Sequence, residues 1–76
     1  MRADETELAH LVRGANRIGE FFAAMPDAAE ARAGIAGHLR RYWAPALRQR
    51  LLQHLKETSG EGLDPLVVEA LRSLSD

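Results

Sequence analysis

The chain contains no cysteine. That excludes disulfides, thiolate zinc sites and iron–sulfur ligation. Its three histidines, His10, His38 and His54, stand far apart, and none lies three or four residues from another. Two metal ligands on one helix face need that spacing, so no metal site is expected. No run of about 18 apolar residues occurs, so nothing is expected to span a membrane. The opening MRADETELAH is acidic and has no apolar signal core; secretion is not indicated, and a cytoplasmic location is expected.

Acids are missing from the middle. Between Ala31 and Lys56 there is no Asp or Glu, while Arg32, Arg40, Arg41, Arg48, Arg50 and Lys56 make up six of the chain's ten basic residues. The net charge of −1 therefore hides a basic centre between acidic ends. Such a centre suits an acidic partner surface or a phosphate-rich ligand; alternatively, the ends neutralise it when the chain folds back on itself.

The 76 residues fit a single domain, residues 1–76. A domain this small buries only about 60% of its unfolded surface. A lone core of this size seldom supplies more than ~3–5 kcal/mol, and small proteins usually add a disulfide, a metal or a partner. With the first two unsupported, a partner is the expected staple.

Periodicity predicts helices throughout, giving an all-α, compact four-helix domain with short connections, arranged as a pair of helical hairpins. Leu8, Leu11, Val12, Ala15, Ile18, Gly19, Phe22 and Met25 form the stripe of a first helix, which Met25-Pro26 ends. Phe21 lies at the edge of that stripe, and Asn16 lies on the opposite side. Asp27 is placed to cap a second helix, with Glu30 completing a capping-box-like pair. Its core stripe is Ala28, Ala31, Ile35, Leu39 and Tyr42. Ala29, Ala33, Ala36 and Gly37 form a second, small-residue stripe. Gly34 and Gly37 each cost a helix roughly 1 kcal/mol relative to Ala, and close packing is the expected reason.

Pro45 suits the first turn of a third helix. Leu47, Leu51, Leu52 and Leu55 are its apolar arc. Arg48 falls inside that arc, where it must snorkel outward or meet a carboxylate on another molecule. TSGEGLDP is a loop broken by Gly60 and Gly62, after which Asp64 caps and Pro65 opens a fourth helix lined by Val67, Ala70, Leu71 and Leu74.

Catalytic machinery is not apparent. Thr6, Thr58, Ser59, Ser73 and Ser75 have no histidine and acid arranged around them, and no strand precedes a glycine-rich phosphate loop. The acids Asp4 and Glu5 read as ordinary first-turn charges. The run GHLRRYWAP concentrates the only Trp, the only Tyr, two arginines and a histidine. Single-strand nucleic-acid binders also mix cations with rings. Against that, the net charge is negative, and Arg40 and Arg41 project about 100° apart on a helix. Tyr42 reads as core. Trp43, beside the small-residue side, reads equally as core or as an interface anchor.

Three segments, ELAHLVRGANRIGEFFAAMP, EARAGIAGHLRRYWAPALRQRLLQHL and GLDPLVVEAL, together resemble the delta subunit of soluble, NAD-dependent, molybdenum-containing formate dehydrogenase. The resemblance runs from about Glu7 to Leu71. Its most specific parts are Ala15-Asn16-Arg17-Ile18-Gly19 with Phe21-Phe22, and His38-Leu39-Arg40-Arg41-Tyr42-Trp43 with Pro45. Two positions depart: Ala44 stands where the family often carries an acid, and Leu47 where it favours Met. The first departure bears on any cap or ion pair at the start of the third helix and leaves the expected fold unchanged.

The resemblance implies a complex that oxidises formate at a bis-molybdopterin guanine dinucleotide centre in an alpha subunit. Electrons then pass through iron–sulfur clusters to FMN and NAD on beta and gamma subunits. Within it the delta chain is an accessory piece that binds no cofactor of its own, and without cysteine it can hold no cluster. It is expected to be non-catalytic and to dock on the alpha subunit through His38, Arg40, Arg41 and Trp43, with Asn16, Phe21 and Arg48 as further candidates. A transient assembly factor that aids insertion or retention of the molybdenum cofactor is one alternative. A small nucleic-acid binder is another.

Overall fold

The computed structural model describes residues 3–74, with side chains from Thr6 onward. The side chains of Asp4 and Glu5, and the whole of Ser75, lie outside the described residues. Four helices follow one another: α1 (Ala3–Ala23), α2 (Ala28–Tyr42), α3 (Pro45–Thr58) and α4 (Pro65–Leu74). No strand occurs among the described residues. The Cα radius of gyration is 11.7 Å, close to the roughly 11.4 Å expected of a compact domain of this length.

Local chemistry explains the boundaries. The chain leaves α1 two residues before Met25, whose N–H donates to Phe22 O at 3.0 Å, and Pro26 keeps it from continuing. Asp27 then caps α2, its Oδ1 accepting from Ala29 N at 2.8 Å. Glu30 adds negative charge to that first turn, where the helix dipole favours it. Pro45 opens α3 after Ala44, whose methyl supplies no side-chain cap. Ser59 closes α3 in the left-handed region, its N–H donating to Leu55 O at 2.9 Å. Gly60 and Gly62 also have positive φ, +90° and +85°, a conformation that glycine adopts without steric cost.

Leu11, Ala15, Ile35, Leu39, Leu51, Val67, Ala70 and Leu71 make the buried centre. Every helix touches every other, but the largest contact is α2 on α4, followed by α2 on α1. The expected pair of sequential hairpins is therefore not the organising contact. Helix α2 is the shared element, because Ala31, Ile35, Ala36 and Leu39 all bury from it.

Three expected core positions lie outside. Ala28 and Met25 are exposed, and Tyr42 is 72% exposed. A helical wheel gives the direction of a side chain but not whether a neighbouring helix lies opposite it. On α2 the buried stripe ends at Leu39.

The charge segregation is partly neutralised by folding. Arg32 meets Glu69 at 3.5 Å and Arg50 meets Glu7 at 3.8 Å, joining the basic centre to both acidic ends. Exposed pairs of this kind contribute little, about 0–1 kcal/mol.

Candidate functional site

The residues expected to act together separate into three places. Trp43 is the first residue beyond α2, with extended φ −94° and ψ 138°. A helical projection therefore does not apply to it. Its ring turns back against α1, where a methyl on Gly14 would stand 3.3 Å from Cζ2, and it packs half-buried on the core.

Arg48 completes that corner. It neither snorkels away nor needs a foreign carboxylate. Its Nη1 donates toward Trp43 O at 2.8 Å, Arg40 O at 3.0 Å and Leu39 O at 3.3 Å. Leu39 O also accepts from Trp43 N–H at 3.2 Å, while the carbonyls of Arg40 and Trp43 lie past the last helical donors, and a cation there also opposes the negative end of the helix dipole. The arginine inside an apolar arc is thus a C-terminal cap supplied by the next helix. Arg40 contributes a carbonyl to this cap while its side chain is exposed.

Asn16 forms the second place. Its Nδ2 donates to Gly62 O at 2.9 Å, and its Oδ1 accepts from Asp64 N at 2.9 Å. One amide thus satisfies both polarities of the backbone just before α4. The same loop is held from α3. Thr58 Oγ1 accepts from Glu61 N at 2.9 Å and Gly60 N at 3.2 Å, and the His54 ring Nε2 lies 2.7 Å from Glu61 O. The His54 and Thr58 contacts were not expected. The polarity of Asn16 on a helix carried a signal, but its partners lie 46 and 48 residues away.

The third place is the outer face of α1 and α2. Phe21 meets Phe22 edge-on with ring centroids 5.1 Å apart. Phe22 meets His38 at 6.5 Å, and His38 meets Tyr42 at 4.9 Å. This row of rings runs along two adjoining open hollows. One, of about 250 Å³, is lined by Phe22, Ala33, Gly34, Gly37, His38, Arg41 and Tyr42. The other, of about 310 Å³, is lined by Arg17, Ile18, Phe21, Phe22 and His38. Sharing Phe22 and His38, they form one apolar groove with a cation on each side. The large hydrophobic side chains that stay exposed, Phe21 at 76%, Tyr42 at 72% and Met25 at 40%, all belong to α1, α2 or the turn between them.

The two glycines of α2 differ in cause. A Cβ on Gly34 would fall 2.4 Å from the Phe22 ring, so internal packing requires glycine there. A Cβ on Gly37 would meet nothing within 4 Å. Gly37 still costs the helix about 1 kcal/mol, and no neighbour among the described residues accounts for it. The small-residue stripe is likewise divided: Ala36 is buried, while Ala29 and Ala33 are exposed.

His38, Arg41 and Phe21 are therefore brought together with Tyr42, Arg17 and Gly37. Trp43 and Arg48 share a different corner, Arg40 lies on the outside of it, and Asn16 holds the loop. Tyr42 and Trp43 do not form one stacking platform, since one lies outside on His38 and the other inside on Gly14. No group of three or more His, Asp or Glu side chains among the described residues is placed to hold a metal ion. No described helix is long and apolar enough to cross a membrane.

A family model described as the NADH-dependent formate dehydrogenase delta subunit, FdsD, matches residues 10–71. No curated protein and no solved structure matches the chain.

Proposed function

The chain belongs to the family of NADH-dependent formate dehydrogenase delta subunits, and on that premise we propose that it is a non-catalytic accessory subunit that docks on the catalytic alpha subunit and stabilises it in the cytoplasm. The observation that carries this reading is the outer face of α1 and α2. A domain this small leaves two aromatic rings and two arginines on one apolar groove. Exposed rings beside arginines are the composition of interface anchors.

This chain supplies no thiolate for an iron–sulfur cluster. Cysteine is absent, and no metal-binding cluster exists among the described residues. On this reading the bis-molybdopterin guanine dinucleotide, the iron–sulfur clusters, FMN and NAD are carried by the alpha, beta and gamma partners. No chemical step is assigned to this chain.

A tagged chain recovered from its host grown on formate tests the reading through quantified stoichiometry. Recovery of the alpha subunit with its cluster and flavin partners, near one copy each, is the expected result. Recovery with cofactor-poor alpha subunit alone would make the chain a transient assembly factor. Recovery of neither would overturn the docking role.

A further inference from the structure

We propose that the groove between α1 and α2 seats a segment of the alpha subunit that presents an apolar side chain over Gly37 and carboxylates to Arg41 and Arg17. The inference rests on the accessory-subunit reading and adds to it the face and the chemistry of the contact.

The floor supplies the first part. Ile18, Phe22 and the rings of Phe21, His38 and Tyr42 offer a nonpolar surface, and Gly37 leaves a gap in it that no atom of the described residues fills. Glycine at an unobstructed helix position weakens α2 without benefiting its own fold. The absent side chain lets a foreign group approach the helix backbone.

Charge supplies the second part. Arg17 and Arg41 flank the groove, no acidic residue lines either hollow, and neither arginine has an ion-pair partner among the described residues. Three other members of the basic centre do find partners: Arg32 and Arg50 meet acids, and Arg48 meets carbonyls. A carboxylate beside an apolar anchor satisfies what this face lacks, with the two-pronged geometry that suits guanidinium.

A second copy of the chain fits poorly. In a two-fold contact the same patch meets itself, which would bring the arginines of one copy toward those of the other. Nucleic acid fits poorly as well, because two cations over an apolar floor give few phosphate contacts.

The test uses full-length chains co-expressed with the alpha subunit. Binding is read by copurification and by calorimetry with purified alpha subunit, and folding by circular-dichroism melting. Gly37→Leu is expected to melt no lower than the parent while binding at least ten-fold more weakly. Arg41→Glu is expected to lose a similar factor. Arg40→Glu, equal in charge change but off the groove, is expected to stay within three-fold.

Parent-like binding by both Gly37→Leu and Arg41→Glu would overturn this inference and leave the docking role standing. An equal loss in Arg40→Glu would also overturn it, by showing a bulk charge effect. A dimer in sedimentation that Arg41→Glu dissociates would assign the groove to a second copy. Salt-sensitive binding of RNA or DNA that Arg41→Glu abolishes would assign it to nucleic acid. If the parent chain binds no alpha subunit at all, the functional reading fails first and this inference with it.

Discussion

The side where α1 meets the loop before α4 and the side where α1 meets α2 use similar residues to opposite ends. On the first, Asn16 and Thr58 find backbone partners within the chain. The corner at Trp43 behaves the same way, with Arg48 donating toward three carbonyls. On the α1–α2 face, Phe21, Tyr42, Arg17 and Arg41 are left to solvent. An arginine or an aromatic ring is therefore not a docking residue by composition alone. What matters is whether the fold has already supplied its partner.

Breaking the closed side is expected to have the largest effect. Trp43→Ala removes a half-buried ring from the core and should lower stability by about 2–3 kcal/mol, toward the low end for large aromatic truncations. A urea midpoint reads this. An unchanged midpoint with lost alpha-subunit binding would move Trp43 to the open side. Asn16→Ala leaves a backbone donor and acceptor without their side-chain partner and should lower stability by about 2 kcal/mol. Amide exchange in the 59–64 loop should accelerate in the same variant, and unchanged protection there would show that the loop does not depend on Asn16.

Arg48→Met keeps the apolar stem and removes the cap, with an expected loss of about 1.5–2 kcal/mol in thermal or urea unfolding. A loss under about half a kcal/mol would mean that water caps α2 equally well.

The glycine pair gives the sharpest comparison with the smallest effect. Gly34→Ala should destabilise by about 1 kcal/mol, because the Phe22 ring must move. Gly37→Ala should stabilise by up to about 1 kcal/mol, because nothing opposes the methyl. Equal shifts of one sign would remove the distinction between an occupied and an open side of α2.

The helices themselves were readable from local signals. The Asp27 cap, Pro45 at the start of α3 and Pro65 at the start of α4 each depend on neighbouring residues only. The stripes were readable where another helix lay across them, as at Leu11, Ala15, Ile35 and Leu39. They failed at Ala28, Met25 and Tyr42, which have apolar or aromatic character and yet stay exposed. The candidate docking residues were drawn from one short run and three residues outside it, Asn16, Phe21 and Arg48. That run is divided at the end of α2: His38 and Arg41 stay on the groove, while Trp43 turns inward once the backbone becomes extended.

Sequence by itself determined the all-α class, the four helices, their ends and most of the core, because caps, prolines and a 3.6-residue period act over a few residues. It also determined that no thiolate chemistry is available. Tertiary structure alone decided that Arg48 caps α2, that Asn16 fastens a loop far along the chain, and that Gly34 is occupied while Gly37 is open. Each of those depends on which backbone groups and rings come within a few ångströms after packing, and residue order does not encode that distance locally.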